Sequence, residues 1–175
     1  MGLRVHLDGA RLFNAAHALH CDVKDITQYC DSVTFCLSKG LSAPIGSMIC
    51  GGKEFIARVK RNRKLVGGGL RQSGYLAAAG IYALNHMVDR LQDDHDNAAY
   101  LAEKLSALPY LYINNELRDI TMVFFRIEKE GFDHDGFVRY LYDHDVKING
   151  QDKGIYRFVT HYGIEKKDID TVIEL

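Results

Sequence analysis

The sequence predicts an α/β fold in two parts: a partial sheet with helices over residues 1–107, then a small α+β domain over residues 108–175. Three observations carry this. Short β-branched and apolar runs alternate with helical patterns through the first hundred residues. The two prolines are rare enough to punctuate, and Pro109 closes a helical run. Beyond it the pattern becomes strand, strand, helix, strand, strand, helix, the order of a small α+β unit.

Leu3–Leu7 reads as a short buried strand ending at Asp8-Gly9, and Ala10–His20 as a helix with Ala15, Ala16, Ala18 and Leu19 on its apolar face. Asp22 is placed to cap a helical turn through Ile26 and Tyr29. SVTFCL (Ser32–Leu37) and SMIC (Ser47–Cys50) read as strands around a loop holding Lys39. Lys53–Leu65 is amphipathic, with Phe55, Ile56 and Val59 on one side, and Gly67-Gly68-Gly69 interrupts. Apolar residues at 76, 80, 81, 84, 87, 88 and 91 predict one long helix over Gln72–Leu91, and a second is expected over Asn97–Leu108. In the last third, Leu111–Ile113, Met122–Ile127, Val146–Ile148 and Ile155–Thr160 read as strands, with helices over Asp135–Asp143 and after Glu165.

A net charge of −1 gives no electrostatic argument for nucleic acid or an anionic membrane. The basic run Arg58–Lys64 reads as a solvated helix face. No apolar run approaches the roughly 18 residues of a membrane span. MGLRVHLDG contains no signal-peptide core, and His6 stands where a myristoylation pattern takes Ser or Thr. The cysteines at 21, 30, 36 and 50 form no C-x-x-C pair, which fits reduced thiols in a cytoplasmic protein.

Asp-His-Asp occurs at 94–96, 133–135 and 143–145. Carboxylate and imidazole both ligate metals, but ten residues of helix separate the last two by about 15 Å. Helix caps and surface charge are the expectation, and no metal is assigned. Asp8-Gly9-Ala10-Arg11 lies where a strand gives way to a helix, the edge at which open α/β sheets bind ligands. An aspartate there can also be a plain N-cap. Lys39 follows the next strand, where it is either a surface lysine or an amine that bonds a carbonyl. Strand-end Asp, Arg and strand-end Lys together match what pyridoxal phosphate enzymes need: an amine for the cofactor aldehyde and a carboxylate for its ring nitrogen.

HLDGARLFNAA (His6–Ala16), SVTFCLSKGLSAPIGSMICGG (Ser32–Gly52), LVGGGLRQSG (Leu65–Gly74) and RFVTHYGI (Arg157–Ile164) resemble the low-specificity L-threonine aldolases. These are fold-type-I, aspartate-aminotransferase-like enzymes that use pyridoxal 5'-phosphate. The resemblance covers essentially the whole chain and implies the C-terminal part of such an enzyme, a partial large-domain sheet plus the small domain. It implies that Asp8 partners the pyridine nitrogen, Arg11 approaches the phenolic oxygen, Lys39 bonds the cofactor, Arg71 lies near the phosphate and Arg157 clamps the amino-acid carboxylate. It implies cleavage of L-threonine or L-allo-threonine to glycine and acetaldehyde. Typical members carry a long segment before HxDGAR that supplies further strands and a ring-stacking histidine. The expected partners are an amino-acid substrate and either a homo-oligomer (dimer or tetramer) or a complementing N-terminal half. A β-eliminating lyase and a non-catalytic remnant bound to a full-length paralogue stay open as alternatives.

Overall fold

The computed structural model describes residues 2–114 and 120–175, which divide into two packing units, one ending at Leu91 and the other running Gln92–Leu175. In the first, β1 (His6–Asp8), β2 (Ser32–Cys36) and β3 (Ser47–Gly51) form a sheet in the order β1-β2-β3. β1 runs parallel to β2, with Asp8 opposite Thr34, and β3 returns antiparallel, with Cys36 opposite Ser47. α1 (Leu12–Ala18) and α2 (Val23–Thr27) connect β1 to β2, and α3 (Lys53–Leu65) and α4 (Gly74–His86) follow β3.

Local chemistry accounts for these elements. Asp22 caps α2 through a capping box with Asp25, which satisfies two end amides reciprocally. α1 buries Leu12, Asn14 and Ala16, and its Phe13 meets Phe35 of β2 edge to face at 5.3 Å. The core joins Leu37, Leu41 and Ala43 of the loop after β2 to Ala83 and Leu91.

In three places the structure departs from the sequence pattern. The first strand runs only from His6 to Asp8 and is not buried, because among the described residues no element covers this end of the sheet, where Leu3 is 79% exposed. The helix expected over Gln72–Leu91 ends at His86, and a new one, α5 (Leu91–Ser106), begins before Asn97. Apolar spacing cannot show this break, since Met87, Val88 and Leu91 pack on the same core across it. Asp93 and Asp94 in the first turn of α5 suit a helix N-terminus. Finally, Val146–Ile148 is not a strand; its physical reason lies in the register of the turn that follows it.

The second unit packs α5, α6 (His134–Asp143) and α7 (Lys166–Glu174) on an antiparallel sheet of β4 (Leu111–Ile113), β5 (Met122–Ile127) and β6 (Tyr156–Val159), ordered β4-β5-β6. α5 thus packs with the second unit although it precedes residue 108, because Ala98, Leu101, Ala102 and Leu105 lie in one core with Ile113, Val123, Phe125, Tyr156 and Ile169. Period-two alternation turns Tyr112, Arg126, Arg157 and Val159 to the other face, where all four are exposed. Asp133 caps α6 by accepting from the Gly136 amide at 2.8 Å.

Between α6 and β6 the chain is pinned twice. α6 ends in a Schellman motif: Asp145, at φ +62, donates its N–H to Tyr142, and Val146 donates to Leu141 at 2.8 Å. Asp152 and Ile155 then exchange two backbone hydrogen bonds around Lys153 and Gly154, both at positive φ, as a type I′ hairpin turn requires. That turn's unbroken register would set Ile148 opposite Val159, on the exposed face. Ile148 instead packs against the core cluster. The two demands differ by one residue, and a one-residue slip reverses every side chain. The ladder stops after a single pair, so Val146–Ile148 keeps strand composition without strand pairing.

Candidate active site

β1 and β2 end side by side, and the candidate chemistry sits at those ends. Asp8 is the last residue of β1, and Lys39 lies three residues past the end of β2. The turn after Asp8 rests directly on β2: Gly9 donates its N–H to Thr34 O at 2.8 Å, and Cys36 donates to Ala10 O at 3.3 Å. A Cβ on Gly9 would stand 2.9 Å from Thr34 O, so no larger residue fits without moving the backbone. Asp8 Oδ1 accepts from the Ala10 amide at 3.2 Å, which orients the carboxylate at the sheet edge. Arg11 occupies the N-cap position of α1, is half-buried, and makes no side-chain hydrogen bond or ion pair among the described residues.

Lys39 is held by a closed loop. Ser42 donates to Lys39 O, Ala43 to Leu37 O, and Leu37 to Gly46 O, all within 2.8–3.0 Å. A Cβ on Gly40 would come to 2.9 Å from Leu91 Cδ2 and 3.1 Å from Asn14 Oδ1, so the residue after the lysine has to be glycine or the loop lifts. The Lys39 side chain is exposed and pairs with no carboxylate among the described residues. Its amine and the Asp8 carboxylate are thus both available at neighbouring parallel strand ends, the ligand-binding edge of an α/β sheet.

Arg71 stands in the exposed loop between α3 and α4, after Gly67 at φ +86 and before Gln72 at φ +49. Among the described residues no hydrogen bond or ion pair joins it to Asp8, Arg11 or Lys39. Arg157 belongs to the second unit: it lies on β6 opposite Phe124, exposed, at the wall of a cavity of about 600 Å³. His161 lines the same cavity, with Nδ1 at 2.9 Å from the Tyr162 carbonyl oxygen. Pattern reading passed over the supports of these groups. Asn14 is 4% exposed under the Lys39 loop, and Thr160, 3% exposed, donates Oγ1–H to Asp94 O at 2.6 Å, tying the end of β6 to α5. A polar residue on an otherwise apolar helix face was the available signal for Asn14.

The sequence profile of the beta-eliminating lyases matches residues 1–128. The chain belongs to the beta-eliminating lyase family. Within it the chain is 47% identical to the low-specificity L-threonine aldolase of Escherichia coli over 170 residues, covering 97% of this chain and 49% of that protein. It is 33% identical to the Saccharomyces cerevisiae low-specificity L-threonine aldolase over 168 residues, covering 94% of this chain and 42% of that one. The chain therefore spans about half the length, or less, of these curated relatives. Its fold matches a crystal structure from an Exiguobacterium species described as an aromatic amino acid beta-eliminating lyase/threonine aldolase, with a TM-score of 0.80 at 22% identity over 99% of this chain and 51% of that one. A cystine C–S lyase matches with a TM-score of 0.68 at 17% identity, over 98% of this chain and 51% of that one. Among the described residues no helix of this family member is long and apolar enough to cross a membrane.

Proposed function

We propose that this chain supplies the lysine-bearing part of a pyridoxal phosphate-dependent aldolase that cleaves L-threonine or L-allo-threonine to glycine and acetaldehyde. The observation that carries this reading is the placement of Asp8 and Lys39 at the carboxyl ends of adjacent parallel strands. The donor set fits the cofactor: an amine for its aldehyde, a carboxylate for its ring nitrogen, and guanidinium groups for its anionic oxygens. Lys39 would hold the aldehyde, Asp8 the ring nitrogen, Arg11 the phenolic oxygen and Arg71 the phosphate. When bound, the cofactor supplies an electron sink for the charge left at Cα as the Cα–Cβ bond breaks.

The remaining work falls to side chains of this sequence. The Asp8 carboxylate favours a proton on a ring nitrogen placed against it, since an adjacent anion stabilises the cationic form. Arg157 would take the substrate carboxylate in a bidentate pair, fixing which bonds of Cα face the ring. No residue of this chain is assigned as the base that removes the β-hydroxyl proton.

The half-length match to its relatives supports a protein that acts with further chain, either a complementing N-terminal half or a homo-oligomer. Among the described residues β1 and β3 each have one unpaired edge, and Leu65, Val66, Leu70, Tyr75, Ile81 and Tyr82 are exposed. The four free cysteines fit a cytoplasmic setting.

The family description itself favours a second reading, β-elimination. The two are separated by incubating the protein, with any complementing half, with L-threonine and with L-cysteine. Aldolase activity yields acetaldehyde and glycine from threonine. Release of pyruvate and ammonia without acetaldehyde would sink the aldolase reading in favour of the eliminating one.

A further inference from the structure

We propose that Val146–Asn149 is a strap that closes onto the free edge of β6 as a fourth strand of the second sheet. Thr160 donates its N–H to Thr121 O at 2.9 Å, so the alternation of an antiparallel ladder turns Phe158 and Tyr156 toward β5. Arg157 and Val159 therefore present their N–H and C=O groups to the opposite edge, which no strand pairs among the described residues. The Asp152–Ile155 pair starts a hairpin on that same edge. Between this start and the Schellman motif at Asp145, no backbone–backbone hydrogen bond engages Lys147–Gln151 among the described residues.

Val146–Asn149 and Arg157–Thr160 line one cavity of about 600 Å³, which also reaches Leu101 of α5 and Ile169 and Val172 of α7. The strap and the outer edge of β6 thus border the same open space, into which the strap can move. Closing does not require Ile148 to leave the core: a bulge at Gly150–Gln151 absorbs the one-residue conflict of register, and glycine suits such a bulge. Ile148 then faces Phe158 on the core side, while Asn149 and Lys147 exchange hydrogen bonds with Arg157 and Val159. Both ends of the strap are already fixed, by Val146 on Leu141 and by the Lys153–Gly154 turn, so only its middle has to move.

Closure gives the N–H and C=O groups of Arg157 the hydrogen-bonded partners they lack on that edge and so steadies the base of its guanidinium. That this seats the arginine for a substrate carboxylate rests on the function proposed above; the closure itself rests on backbone register alone. The test therefore needs no substrate. Amide hydrogen exchange is read residue by residue on the 175-residue chain and on Asn149→Pro, which removes an N–H that bonds nothing in the open form. The expected result is that the Arg157 and Val159 amides exchange at least about tenfold faster in the variant, with Tyr156 and Phe158 unchanged. A nuclear Overhauser contact between the Hα atoms of Ile148 and Phe158 in the unmodified chain is expected independently of any variant. Equal exchange at Arg157 and Val159 in both chains, or absence of that contact, overturns the strap. Either result leaves the role of Arg157 toward a carboxylate to be decided by its own substitution.

Discussion

Gly9 hands its amide to the carbonyl of Thr34 at 2.8 Å, and a Cβ on Gly9 would lie 2.9 Å from the same oxygen. This contact sets how closely the turn carrying Asp8 approaches the strand that leads to Lys39. Gly9→Ala forces backbone apart rather than a flexible side chain. The expected cost is about 1–3 kcal/mol, by denaturant unfolding of the chain. Full retention of stability would mean that β1 and β2 separate more easily than the contact implies.

Lys39 is the expected point of covalent attachment for pyridoxal phosphate. Borohydride reduction followed by digestion and mass spectrometry should place the pyridoxyl group on Lys39. A label on Lys53 or Lys64 instead contradicts the assignment. The 175-residue chain alone is expected to bind the cofactor weakly, because affinity comes from several preorganised contacts together. Adding a separately expressed N-terminal half should tighten the titration.

Arg157 should govern amino-acid binding and leave cofactor attachment intact. In a complete, active form, Arg157→Ala is expected to lose on the order of 2–5 kcal/mol of affinity for glycine, the usual cost of removing one partner from a desolvated charge pair. Calorimetric titration decides it, and unchanged glycine binding would remove Arg157 from the site.

Asp31 couples the residues just before β1 to pH. The Val5 amide at 2.8 Å and the Arg4 guanidinium beside it hold its carboxyl below the ordinary aspartate range. A depressed native value means that the clasp contributes fully above the unfolded aspartate value of about 3.9 and is lost as pH falls through the lower native one. The Val5 amide should exchange faster only in that acid window, after correction for intrinsic rates, and Asp31→Asn should abolish the dependence.

The lysine loop was legible because SVTFC and SMICG are strand-like on both sides of it, and the Asp22 and Asp133 caps because they precede helical patterns. Periodicity could not show the break after His86, since Met87, Val88 and Leu91 satisfy one core whether or not the helix continues. Nor could it show that Val146–Ile148 lies outside the sheet in this structure: alternation reports which face a residue prefers, whereas the Lys153–Gly154 turn fixes the register in which it would meet β6. The support at Thr160 was invisible for a related reason, as the Asp94 carbonyl it meets lies 66 residues away in sequence.

The floor under Gly40 has a consequence for anyone altering this protein by selection. Leu91 and Asn14 bound the space that a Cβ on Gly40 would fill, so the height of the lysine above the sheet is set partly by two residues with no chemistry of their own. Substitutions at 14 and 91 are expected to act as adjusting screws on the Lys39 loop, and libraries confined to residues around the amine would miss them.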